Sequence, residues 1–245
     1  MPAPIDEERY REPIDGKVYL GYADVAEAVS SMALAVAFFE PDLMLAIGYP
    51  GLFIARALEH EVKRSLRVSQ VPIIFAQLEI HDGGSPVRWS SHKSWGDRTK
   101  VRFPQWFDES PESLGAQVRG QRVLIVDAID DTRATLQAAV ERLRVSHAPS
   151  AVGVFVLHDK LKPKVGSLPE DVQYIVAEEM KNAWVCYPWD VDGTELAAHE
   201  ALARRCAGEV VDAPTTSGFM SAQTAVLCAG TALAGALIGV CLARR

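Results

Sequence analysis

An α/β fold, built on a mostly parallel twisted sheet with helices on both faces, is what this sequence predicts. Three observations carry it. Short apolar runs at residues 42–47, 72–80, 123–126 and 150–157 are too short for helices, are bounded by charge or turn residues, and read as buried strands. They alternate with amphipathic segments at residues 22–39, 52–66 and from 136 onward, the order that yields parallel strands joined by helical crossovers. The turn-forming and polar residues at 48–51, 127–135 and 158–160 all fall after strands, at the carboxyl edge where such sheets bind ligands.

Each element follows from local pattern. Residues 1–20 form a polar lead-in, expected to pair briefly at 18–20, and their charged opening lacks the apolar stretch of a secretory signal. Val25, Ala28, Val29, Met32, Val36 and Phe39 recur at helical spacing. That helix stops at Glu40-Pro41, since a residue before proline avoids the α conformation. The strand at 42–47 leads into a turn, Gly48-Tyr49-Pro50-Gly51, and a helix over 52–66. Residues 81–107 then lose periodicity and are rich in Gly, Ser, Pro, Trp and basic side chains, Lys93, Arg98, Lys100 and Arg102 among them. So long an irregular excursion reads as a lid. Short strands are expected at 173–177 and 184–187, within a hood over 165–193, and an amphipathic helix at 195–206.

The reading places one domain at 21–210. A small-polar linker at 211–223 follows, and then residues 224–243, about twenty predominantly apolar residues with Gly235 and Gly239 on one face. No charge occurs between Asp212 and Arg244. The expectation is a transmembrane tail anchor that holds the body on the cytoplasmic face of an intracellular membrane. A buried core helix would normally keep a polar stripe, and this segment has none. The net charge of −7 argues against a general nucleic-acid binder. Cys186, Cys206, Cys228 and Cys241 are too scattered for a disulfide framework or a zinc site.

The most informative stretch is 122–136, Arg-Val-Leu-Ile-Val-Asp-Ala-Ile-Asp-Asp-Thr-Arg-Ala-Thr-Leu. A buried strand runs into carboxylates at Asp127, Asp130 and Asp131 and hydroxyls at Thr132 and Thr135, and a helix begins. Backbone N–H groups at a helix start bind phosphate, whereas the acids suit ribose hydroxyls, a metal or proton transfer. Thr132 could instead serve only as a helix cap, but capping does not account for so many acids.

This stretch resembles the phosphoribosyl-diphosphate (PRPP) motif of type I phosphoribosyltransferases. Its Asp-Asp-Thr-Arg-x-Thr form is most similar to fungal-type hypoxanthine-guanine and xanthine phosphoribosyltransferases. Three further blocks, at residues 41–56, 154–164 and 184–190, share the resemblance, which covers roughly residues 20–205. It implies the type I phosphoribosyltransferase fold and a Mg²⁺-dependent purine-salvage transferase that joins hypoxanthine, guanine or xanthine to PRPP and releases pyrophosphate. It implies that Asp127, Asp130, Asp131, Thr132, Arg133, Ala134 and Thr135 bind PRPP, with Asp131 handling the purine proton. Gly48, Tyr49, Pro50 and Gly51 would hold pyrophosphate, with Tyr49-Pro50 able to take a cis bond. Lys160, Trp184 and Val185 would bind the purine, and Asp127 and Asp190 the metal. Relatives are commonly dimers or tetramers, so a homo-oligomer is implied as well. The chain departs from the pattern at Ala128, where the family has a second acid; Asp130 is the candidate to replace it. Ala128, Ala134 and Pro50 motivate an alternative, a membrane-tethered nucleotide sensor without turnover.

Overall fold

The computed structural model describes residues 13–67, 70–81 and 100–209. In chain order the elements are β1 (Lys17–Tyr19), α1 (Tyr22–Phe39), β2 (Leu43–Ile47), α2 (Gly48–Leu66), β3 (Ile73–His81) and β4 (Lys100–Gln105). There follow β5 (Arg122–Asp130), α3 (Ala134–His147), β6 (Ala151–Lys160), β7 (Gln173–Met180), β8 (Trp184–Cys186) and α4 (Leu196–Cys206).

Strands β2 and β5 are apolar on both sides because both sides are covered. Leu43 to Ile47 and Val123 to Val126 are all buried. On one face Leu124, Val126 and Phe155 pack with Val36 and Phe39 of α1 and Ile54 and Leu58 of α2. On the other, Val123, Ile125, Val154 and Val156 pack with Leu136, Val140 and Leu143 of α3. One sheet of six strands results, in the order β4-β3-β2-β5-β6-β7. All neighbours are parallel except β4, which runs antiparallel to β3. From β2 the chain turns one way to β3 and later returns to β5 on the other side. The gap above β2 and β5 is therefore the topological switch point, where open α/β sheets hold ligands.

Four local expectations change. Residues 48–51 are the first turn of α2, not a separate turn before a helix at 52. Residues 100–105, expected inside an irregular lid, pair with β3, because Val101 and Phe103 pack on the α3-side core. Asp127 and Asp130 belong to β5 and do not lie in the turn after it. Within 165–193, β7 is an edge strand of the main sheet; only β8 stands apart, in a parallel two-stranded ribbon with β1. Helix α4 braces that ribbon: buried His199 bonds through Nε2 with the Leu20 carbonyl at 2.8 Å. Most of the lid (82–99), the linker and the apolar tail lie outside the described residues.

Candidate functional site

Two helices begin at the switch point. Helix α2 starts directly after β2, with Gly48 at a φ of 63° and Pro50 in the first turn, where a missing N–H costs no helical bond. The Tyr49–Pro50 bond is trans, which corrects the cis expectation: the segment turns by entering a helix instead. A Cβ on Gly51 would sit 2.4 Å from the Val126 carbonyl oxygen, so only glycine lets α2 press this closely on β5. Helix α3 starts at Ala134, after Arg133 at a φ of 66°, and no side chain caps it. Thr132 is buried and is not that cap. Two helix starts without side-chain caps thus stand after the adjacent strands β2 and β5, an arrangement that favours anions.

Beneath the α3 start lies a closed charge network. The Asp130 side chain is fully buried, and its Oδ2 accepts from Arg133 Nε and from the Tyr174 hydroxyl, each at 2.7 Å. The Arg133 guanidinium stacks 4.6 Å from the Tyr174 ring centre and reaches Asp159 at 3.4 Å. Lys164 pairs with Asp159 and lies 3.6 Å from Asp130 Oδ1. Its ammonium also donates to the carbonyls of Asp130 at 2.7 Å and Lys160 at 2.9 Å. The N–H groups of Val165 and Gly166 both donate to the Thr132 carbonyl at 3.0 Å. Gly166 is required there, since a Cβ would meet the Arg133 carbonyl oxygen at 2.6 Å. Residues 160–166 therefore clamp the loop at 130–133 and hold Arg133 in its left-handed conformation.

Above the loop the charges are arranged differently. Asp131 keeps a 28% exposed side chain, with Lys162 Nζ at 2.6 Å and Lys160 Nζ at 3.1 Å from Oδ1. Burial works to raise its pKa, but Lys162 and Lys160 outweigh that and hold the carboxyl below the ordinary value. Asp131 is ionised at neutral pH and able to accept a proton.

Asp127 sits earlier on β5, with Oδ1 accepting the Ala128 N–H at 2.7 Å. Burial, with the Asp130 charge adding to it, pushes its pKa up to about 7 against that hydrogen bond. The Ala128 methyl is buried in the α1/α2-side core. Tyr187 donates its hydroxyl to the Ala128 carbonyl at 3.2 Å and lies 2.8 Å from His158 Nδ1. His158 in turn has Nε2 3.5 Å from Glu178. Burial raises the Tyr187 pKa far above its ordinary value, with the charges of Asp127, Asp190 and Glu178 adding to the rise. Tyr187 stacks on Trp189 with ring centres 4.6 Å apart. Trp184 and Val185 lie on β8, and Asp190 Oδ2 accepts the Tyr187 N–H at 3.2 Å.

Most expected residues thus gather at one edge: Gly48 to Gly51 at the start of α2, Asp131 to Thr135 at the start of α3, and Lys160 at the end of β6. Two depart from their expected parts. Asp130 cannot replace the acid missing at 128, because its carboxyl is buried and committed to Arg133, Lys164 and Tyr174. The Arg133 side chain is likewise committed, which leaves only its backbone to the loop. Lys162, Lys164, Tyr174 and Tyr187 belong to this arrangement without standing out in the sequence pattern. The alternating Lys-Leu-Lys-Pro-Lys at 160–164 was the available signal for the first two.

Comparison with known proteins gives the chain its relatives. The chain is 31% identical over 212 residues to the hypoxanthine-guanine phosphoribosyltransferase of Saccharomyces cerevisiae, covering 76% of this chain and 90% of that protein. It is 30% identical over 211 residues to xanthine phosphoribosyltransferase 1 of the same yeast, covering 77% and 95%. Among solved structures, a hypothetical protein from Neisseria gonorrhoeae with bound ppGpp matches with a TM-score of 0.61 and 28% identity, over 79% of this chain and 97% of that one. A purine phosphoribosyltransferase from Pyrococcus horikoshii shares the fold, with a TM-score of 0.52 and 20% identity over 72% and 96%. No family model matches the chain.

Proposed function

Because the chain belongs to the purine phosphoribosyltransferases, we propose that it transfers the 5-phosphoribosyl group of PRPP to a 6-oxopurine, hypoxanthine, guanine or xanthine, and releases pyrophosphate. One observation carries the reading: two uncapped helix starts and the ionised Asp131, framed by lysines, meet at the switch point of the sheet.

Each group then has a task. The N–H groups from Asp131 to Thr135 hold the ribose 5′-phosphate, as helix starts hold anions. The first turn of α2, Gly48 to Gly51, faces the diphosphate. Lys160 donates to the oxygen at purine position six, Trp184 stacks on the base, and the Val185 backbone reads its exocyclic edge. Asp131 takes the purine proton as the ring nitrogen bonds to the anomeric carbon, which spares the departing pyrophosphate a cationic base as partner. Positioning both reactants in one crevice supplies much of the acceleration.

Magnesium fits the donors present. Among the described residues no three His, Cys, Asp or Glu side chains gather into a metal site. Magnesium commonly binds through one or two carboxylates and substrate phosphates, and Asp127 and Asp190 would supply such hard oxygen ligands. When bound, the ion neutralises charge developing on the leaving pyrophosphate. With Ala128 in place of an acid, Asp127 alone is left to meet the ribose hydroxyls.

Incubation of the full chain with PRPP, Mg²⁺ and each base should yield the nucleotide 5′-monophosphate and pyrophosphate; no turnover with any 6-oxopurine sinks the reading. The apolar length of residues 224–243 further supports a tail anchor on the cytoplasmic face of an intracellular membrane. Carbonate-washed membranes should retain the full chain, and recovery in the supernatant removes the anchor.

A further inference from the structure

The groups around Asp131 carry one more positive charge than the oxygen and the proton of a neutral base engage. Lys160 and Lys162 converge on the same oxygen, Asp131 Oδ1, at 3.1 Å and 2.6 Å. Their side chains are only 12% and 20% exposed, so solvent screens them weakly. Lys164 does not add to the excess, because Asp159 and Asp130 neutralise it in the network below. One carboxylate therefore faces two ammonium groups.

A neutral 6-oxopurine uses one lysine, at its oxygen, and one carboxylate, for its proton. A second lysine gains a use when the base itself is negative. Of the three bases xanthine is the most acidic, because its two carbonyls both stabilise the anion left when a ring N–H is lost. It is partly anionic near neutral pH, where hypoxanthine and guanine are neutral. We propose that Lys162 is a specificity-determining residue that, with Lys160, selects the xanthine anion over hypoxanthine and guanine. This rests on the reading of the chain as a 6-oxopurine phosphoribosyltransferase.

The competing uses of Lys162 are to orient Asp131 or to meet a phosphate of PRPP. Both act on every base alike, since each base gives its proton to the same carboxylate and takes the same phosphoribosyl group. Charge selection acts on the anion and strengthens as pH rises and more xanthine ionises.

The test measures kcat/KM of the full chain for all three bases from about pH 6 to about pH 9, in the wild type, Lys162→Gln and Lys162→Arg, with thermal unfolding recorded for each. The wild type should favour xanthine increasingly with pH. Lys162→Gln should lower the xanthine value about tenfold more than the hypoxanthine value, and Lys162→Arg should restore the preference. An equal loss for all bases in Lys162→Gln overturns the inference in favour of orientation or a phosphate contact. Wild-type turnover of hypoxanthine or guanine with no preference for xanthine at any pH also overturns it, while leaving phosphoribosyl transfer standing. Failure with every base brings down the transfer reading itself. Should Lys162→Gln fail to fold, the wild-type pH profile and the arginine variant decide alone.

Discussion

Asp130 and Asp131 are neighbours in the chain with opposite surroundings. Asp130 lies in a closed network whose charges satisfy one another, with Arg133, Asp159, Lys164 and Tyr174 around it. Asp131 lies in an open cradle, where Lys160 and Lys162 hold it ionised and a quarter exposed. Both regions draw on residues 130–131 at the end of β5 and 159–164 at the end of β6 and just beyond it: Asp159 and Lys164 go to the first, with Arg133 and with Tyr174 of β7, and Lys160 and Lys162 to the second. The difference separates two tasks for the same chemistry. A buried carboxylate with matched cations fixes a loop; a partly exposed one with surplus cations is free to exchange a partner.

The contrast is testable, beginning with its largest consequence. Asp131→Asn should lower kcat by about a hundredfold or more, because the amide cannot take the purine proton. Since the folded carboxyl is held below the ordinary value, its contribution to stability is present above about pH 4 and lost as pH falls through the lowered pKa. The variant should therefore be slightly less stable than wild type at neutral pH and equal to it in strong acid, as urea titrations would read. Asp130→Ala should do the reverse. It leaves the charges of Arg133 and Lys164 without their buried partner and should cost about 3 kcal/mol of unfolding free energy, with PRPP binding weakened through the loop. An Asp130→Ala protein that melts like wild type and loses only kcat would erase the distinction.

Asp127 gives a smaller effect of opposite sign. Its folded pKa of about 7 lies above the ordinary 3.8, so holding it in the fold costs nothing in acid and progressively more as pH rises toward 7. Asp127→Asn should stabilise the metal-free protein by roughly 1–3 kcal/mol at about pH 8 and change little at about pH 4. Calorimetry at the two pH values checks this, and equal shifts at both would remove burial as the cause. Smallest is Tyr174→Phe, which deletes one hydrogen bond to Asp130 and should cost about 1 kcal/mol in chemical denaturation.

Much of this was legible in residue order. Helix α1 was marked by its apolar spacing and its proline stop, and the cores of β2, β5 and β6 by apolar runs that only a sheet covered on both faces can bury. The loop proposed to hold phosphate is legible because strand, hydroxyls and helix are consecutive. The start of α2 was less readable: Gly-Tyr-Pro-Gly has turn composition, and its helical conformation depends on the close approach of Gly51 to Val126, a contact between residues 75 positions apart. Strand β4 was missed for the same reason, since its pairing with β3 and its packing on α3 are contacts across distant sequence.

The sequence by itself determined the alternation of strands and helices, the family and the position of the loop proposed to meet phosphate, because these depend on local periodicity and on residues adjacent in the chain. Which acid does what was decided only by the tertiary structure. Asp130 and Asp131 look equivalent in order, and their roles diverge because the end of β6 brings Asp159 and Lys164 to one and Lys160 and Lys162 to the other. The electrostatics of a carboxylate depends on which charges surround it in space and how well solvent screens them, and neither quantity is written in its neighbours along the chain.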